Sequence, residues 1–189
     1  MSGSNEIISE HHEAPRDGGY EKEYALFDEI LSDLGDDIVK EGSYVHKQKR
    51  RVFIQVKPET LREVIIYMQN TYDMWQFSTL SGRDLGDDLQ AVYHFFLTDK
   101  KIGISFRVNV PRSNPEYPSI TDIVPAAEFV ENELRELYGV VPLGHPNVRR
   151  IELPENWPKD EYPMRKDWAD PRGLMTRSKT LGAKPLEEL

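Results

Sequence analysis

Residues 51–72 read RVFIQVKPETLREVIIYMQNTY, two patterns separated by a proline. Arg51 to Val56 is a β-branched and aromatic run, the composition of a strand. Lys57-Pro58 stops it, because proline has no N–H to give to a ladder. Leu61, Val64, Ile65, Met68 and Tyr72 then recur at helical spacing behind that proline, whose fixed φ suits a helix start. The stretch predicts a strand followed by a helix. Downstream, Trp75 to Leu80 returns as a strand and Gln90 to Leu97 (QAVYHFFL) reads as a largely buried one. Ile102 to Val110 places Ile104, Phe106, Val108 and Val110 on one face and Ser105, Arg107 and Asn109 on the other, the period of a half-exposed strand. Short joins make these last three an antiparallel meander.

Around this centre lie two further helices. Pro125 opens one that runs to Tyr138, with Phe129, Val130, Leu134 and Leu137 apolar and Gly139 at its end. Upstream, Phe27, Ile30, Leu31 and Leu34 fall at i, i+3, i+4 and i+7, with Gly35 expected as the helix C-cap. The fold class is therefore α+β, a mixed sheet with a βαβββ core and helices packed on it, spanning residues 21–139. Residues 1–20 are polar, contain Gly18-Gly19 and have no apolar period, so they are expected to form a disordered leader. Residues 140–189 hold seven of the thirteen prolines, yet also Trp157, Tyr162, Met164, Trp168 and Leu174. Long, irregular and aromatic, this segment is expected to be an extended arm lying across another protein. The competing expectation is an arm folded back over its own domain.

The chain has 189 residues, 38% apolar and 30% charged, which fits one soluble domain with extensions. No run approaches the roughly 18 apolar residues of a bilayer span, and the N-terminus lacks signal-peptide order, so a cytoplasmic location is expected. Cysteine is absent, which excludes disulfides, thiolate nucleophiles and iron–sulfur clusters held by this chain's own cysteines. The net charge of −9 comes wholly from residues 1–42, with twelve acidic against three basic residues; the rest of the chain is neutral. Nucleic-acid binding wants a basic footprint and is not expected.

Nucleotide, zinc-protease and nucleophile-elbow motifs are missing. The turn GRDLGDD holds Asp84, Asp87 and Asp88 without the spacing of a calcium loop, and solvated turn carboxylates are the expectation. His94 lies in an apolar strand and is expected to be a satisfied sheet histidine. These four residues nevertheless define the alternative function, a stand-alone metal-assisted hydrolase; a soluble assembly module is the other alternative. On the last helix, Glu131 and Arg135 stand at the i, i+4 spacing of a helical ion pair.

Residues 124–168, VPAAEFVENELRELYGVVPLGHPNVRRIELPENWPKDEYPMRKDW, resemble the signature region of the 30 kDa subunit family of respiratory complex I and its hydrogenase relatives. The resemblance rests on Glu131, Glu133, Glu136, Leu137, Tyr138 and Gly139, then Gly144-His145-Pro146, Arg149-Arg150, Leu153-Pro154, Trp157, and Pro163, Arg165, Lys166, Asp167 and Trp168. Asn132 stands where the family has arginine, and Glu136 where it has aspartate. More weakly, SGRDLGDDLQAVYHFF and PSITDIVPAAEF are similar to members from archaeal membrane-bound [NiFe] hydrogenase and sulfane reductase-type complexes.

The resemblance implies a non-catalytic subunit with no cofactor of its own. It would sit on the cytoplasmic peripheral arm of a membrane-bound oxidoreductase coupling ferredoxin-linked electron transfer to ion translocation. Implied partners are a catalytic large subunit, hydrogenase-like or 49 kDa-like, and a small subunit with a [4Fe–4S] cluster, the membrane arm being reached indirectly; a NiFe centre would lie in the partners. The implied partner-binding residues are Glu131, Glu133, Tyr138, His145, Arg149, Arg150, Trp157, Arg165, Lys166, Asp167 and Trp168. Arg149, Arg150 and Arg165 would offer planar forks to partner carboxylates. His145, held between Gly144 and Pro146, would be a structural hydrogen-bonding group rather than a proton relay.

Overall fold

The computed structural model describes residues 12–48 and 50–169. In chain order the elements are α1 (Glu21–Asp33), β1 (Tyr44–Val45), β2 (Arg51–Val56), α2 (Leu61–Tyr72), β3 (Gln76–Asp84), β4 (Asp88–Leu97), β5 (Ile102–Pro111), β6 (Glu116–Pro118), α3 (Ala127–Tyr138) and β7 (Val141–Leu143). Five strands form one sheet in the order β1-β2-β5-β4-β3, and β6 pairs with β7 in a parallel two-stranded ribbon. The meander β3-β4-β5 is antiparallel, whereas β2 and β5 run parallel, so the sheet is mixed as expected. A parallel pair needs a crossover, and α2 with β3 and β4 supplies it.

Alternation sets the two faces of the sheet. Val52, Ile54 and Val56 on β2, in register with Ile104, Phe106 and Val108 on β5, point to one side and are buried. Leu26 and Ile30 of α1, Ile65 and Met68 of α2, and Leu134 of α3 join the same apolar cluster, so all three helices cover that face. Helix α3 lies flush on β3 at Gly82, where a Cβ would come within 2.3 Å of the Tyr138 ring. The other face carries Phe53, Gln55, Ser105, Arg107 and Val92; Tyr44 and Val92 are buried there outside the apolar cluster. Ser105 and Arg107, expected on a half-exposed strand, are buried as well.

One expectation needs correction. Helix α1 ends one residue early, with Leu34 at its C-cap, and Gly35 is not left-handed. Gly139 does cap α3, at φ 71°, with its N–H bonded to the Arg135 carbonyl. Within the expected leader, Ala14 is buried and donates its N–H to Val45, and Glu13 bridges His46 at the sheet edge. Residues 1–11 lie outside the described residues, as do 170–189 with Leu174. Strands β1, β6 and β7 were not predicted, because runs of two or three residues carry no period.

Candidate partner-binding arm

The site is built on α3. Glu128, Asn132 and Glu136 recur every four residues, one above the other along one face of the helix. The arm from His145 to Leu153 runs along that face in the same direction. At the first turn, the Glu128 carbonyl receives His145 Nε2 at 3.0 Å and its carboxylate receives Asn147 Nδ2 at 3.0 Å. His145 Nδ1 accepts the Asn147 N–H, which fixes the proton on Nε2. At the second turn, buried Asn132 donates to the Asn147 carbonyl at 3.0 Å and accepts the Arg149 N–H at 3.1 Å. At the third, the Glu136 carboxylate gathers the backbone N–H groups of Ile151, Glu152 and Leu153. Helix side chains thus replace the neighbouring strand that this segment lacks.

A second clasp holds the arm's far half. Met164 gives its N–H to the Leu137 carbonyl and Arg165 Nε bonds the Tyr138 carbonyl at 2.7 Å, so the orphan carbonyls at the end of α3 are satisfied by the arm. Arg165 also stacks on Tyr162, 4.2 Å from the ring centre. Asp84, at the end of β3, accepts from Arg112 at 2.5 Å and from the Lys166 and Gly86 N–H groups at 2.8 Å. Burial would raise this carboxyl, but the guanidinium and the two N–H groups outweigh it and bring its pKa down to about 2. Arg112 continues to Asp167. Asp84 is therefore a buried anchor, not the solvated turn residue expected. It faces the helices, whereas His94 is on the opposite side of the sheet, bonded to Ser81 and Ser105. Asp88 shares the His94 face but stands six residues, about 20 Å, along β4. These residues do not converge, and among the described residues no group of three or more His, Asp or Glu could hold a metal ion.

The residues expected at an interface separate into three groups. Glu131 is fully buried, with Tyr93 at 2.7 Å, Ser119 at 2.6 Å and the Ile120 N–H at 3.1 Å, so it pins α3 to the domain. Burial pushes its carboxyl above the usual range, against the opposing pull of those donors. The expected ion pair with Arg135 does not form. His145 is buried, and Tyr138, Arg150, Arg165, Trp157 and Trp168 are half-buried and occupied within the chain. Arg150 bonds the Pro154 and Trp157 carbonyls at 2.8 and 2.7 Å, Trp157 and Trp168 lie ring to ring at 5.9 Å, and Trp168 Nε1 reaches Glu161. Glu133 is half-buried, its carboxyl raised by burial and by the charges of Glu152 and Glu136. Outward remain the Lys166 side chain, Asp167 beside Arg112, and Arg149, whose guanidinium lies 5.4 Å over the exposed Phe129 ring. Phe129, Leu143, Val148 and Met164, each about half exposed, leave the arm and α3 with apolar side chains in solvent. Asn132, Glu136 and Asn147 carry the ladder and were not expected; the four-residue repeat on α3 was the available signal.

Known proteins share this architecture. Formate hydrogenlyase subunit 5 of Escherichia coli (strain K12) is 40% identical over 128 residues, 66% of this chain, and the chain spans 22% of that relative's length. A component of the F(420)H(2) dehydrogenase of Methanosarcina mazei is 29% identical over 145 residues, 75% of this chain and 84% of that protein. In fold, the chain is similar to one from the structure of the membrane-bound sulfane sulfur reductase (MBS), an archaeal respiratory membrane complex, with TM-score 0.69 and 20% identity over 85% of this chain and 93% of that one. Residues 54–172, from the centre of β2 through both clasps of the arm, match one family throughout: the chain belongs to the respiratory-chain NADH dehydrogenase 30 Kd subunit family.

Proposed function

We propose that this chain is a cofactor-free accessory subunit in the cytoplasmic peripheral arm of a membrane-bound, complex I-related oxidoreductase of the hydrogenase or sulfane reductase type. It docks on the catalytic large subunit and on the small subunit that carries a [4Fe–4S] cluster, and the parent complex couples ferredoxin-linked electron transfer to ion translocation. One observation carries the reading. Polar contacts from Asn132, Glu136 and Asp84 stiffen the arm against the domain, and α3 and the stiffened arm hold Phe129, Leu143, Val148 and Met164 outward. Ordering the arm in advance lowers the entropy lost on docking, and exposed apolar side chains of this kind mark protein–protein contact. No helix among the described residues is long and apolar enough to cross a membrane, which supports attachment through partner subunits.

The test is to tag the chain in its native host, solubilise the membranes gently and identify the co-purifying chains and their ratio by mass spectrometry. Equimolar recovery with a hydrogenase-like large subunit, an iron–sulfur small subunit and membrane subunits is expected. Recovery of the chain alone from the soluble fraction would overturn the proposal, and sub-stoichiometric recovery would convert it into an assembly factor.

A further inference from the structure

The sheet face turned away from the helices has a charge at its centre and nothing described to answer it. In register across that face run Ser81, Val92, Arg107 and Gln55. Arg107 is 6% exposed. Its guanidinium stacks 4.8 Å from the Tyr44 ring and 5.7 Å from Phe53, and its Nε has no hydrogen-bond partner. Arg16, Arg62 and Arg112 each hold a carboxylate at 2.8 Å or less. Arg107 holds none among the described residues. Burial disfavours the protonated guanidinium, Tyr44 opposes that, and the charge of Arg83, one row along the face, adds to it. Among the alternating strand positions on this face the sole carboxylate is Asp88, at the end of β4 beside Pro111.

A buried cation without a counter-ion is strongly unfavourable, and stacking on two rings offsets only part of that penalty. Those same rings fix the plane of the fork, the geometry suited to receiving two oxygens at once. The face also carries Arg51 and Arg83, set apart among Phe53, Val92, Gln90 and Asn109 and not joined in a continuous basic stripe, which fits an acidic side chain of a protein better than a nucleic acid. We infer that this sheet face is a second docking surface, centred on Arg107, and that its occupant is an aspartate or glutamate side chain of a partner protein. The inference rests on the proposed role as a subunit, and adds a contact on the side of the sheet opposite the arm.

The experiment places a photo-crosslinking amino acid at exposed Ser81, two strands or about 10 Å from Arg107, in the tagged full-length chain in its native host, with exposed Ile66 on α2 as control. After irradiation of the membranes, Ser81 is expected to join a partner subunit at a peptide containing Asp or Glu, and Ile66 is not. Arg107→Gln should lower that crosslink about 30-fold, since removing one member of a desolvated charge pair weakens association by this order. Arg83→Glu, a half-buried position whose change leaves the stacked rings in place, should lower it as well at unchanged melting temperature, which separates docking from folding. A crosslink from Ser81 to residues 1–11 or 170–189 of the same chain, to nucleic acid, or to nothing while the complex still co-purifies would overturn the inference and leave the subunit role standing. Loss of co-purification from the wild-type chain would overturn both.

Discussion

The α+β domain and the arm are held by opposite kinds of interaction. In the domain, Ile54, Ile65, Phe106 and Leu134 are withdrawn from water in one apolar cluster, and the backbone of the strands is paired in regular ladders. Along residues 145–169 that cluster has no member, and the backbone is satisfied by the side chains of Asn132, Glu136 and Asp84 instead. Burial is non-directional and tolerates exchange of similar residues; a carboxylate gathering three N–H groups does not. A segment built this way keeps a defined shape while its apolar side chains stay available to a partner.

Four measurements test that contrast, in decreasing order of expected effect. Phe106→Ala should destabilise the whole molecule by about 3–5 kcal/mol in chemical denaturation, since it empties the centre of the core; a loss confined to the arm would break the division into two regimes. Glu136→Ala should open the arm by about 3 kcal/mol, because charge-assisted bonds to three N–H groups are lost together. Hydrogen exchange at Ile151, Glu152 and Leu153 should rise and trypsin should cut at Arg149 and Arg150, with the domain's melting nearly unchanged; unaltered exchange at those amides would count against the ladder.

The third concerns acid. Asp84 is depressed in the folded chain from an ordinary 3.8 to about 2, so its contribution is present above the unfolded value and is lost as pH falls through about 2. Asp84→Asn should therefore cost about 2 kcal/mol at pH 7, and the difference from wild type should vanish at low pH. Glu131, in the domain, is raised, so its contribution has the opposite sign: present below the unfolded carboxyl value and lost as pH rises through the folded one. Glu131→Gln should flatten that decline, and equal pH slopes for the two variants would refute the contrast. The smallest effect on folding belongs to Arg149→Ala, within about 0.5 kcal/mol of wild type in the isolated chain. Its effect should be seen in assembly of the complex, measured by co-purification.

The domain was legible because its signals are periodic. RVFIQV and the alternation from Ile102 to Val110 give both the strands and their inward faces, and Gly139 marks the end of α3. The arm was legible only as a family signature, because its partners are set by contacts that no short window contains: Asp84 meets Lys166 across 82 residues and Arg112 across 28. For the same reason Glu131 looked like one charge on a helical surface, its real partners being Tyr93 and Ser119 on other elements. Arg107 was placed on the correct face by alternation, but its burial depends on Tyr44, from a two-residue strand that leaves no pattern.

The two clasps also differ in how far apart their members are made. Every rung from α3 to residues 145–153 joins positions 15 to 19 apart, whereas the Asp84 clasp spans 82. Loops of this short length close on a timescale of about 100 ns, far faster than a ribosome adds a residue. During synthesis the ladder can therefore zip onto α3 as the chain emerges, and the long clasp must wait for residue 166. Among the described residues, the last piece to acquire structure is then the one where Asp84, Arg112 and Asp167 meet, so birth order itself separates a nascent chain from one ready for assembly.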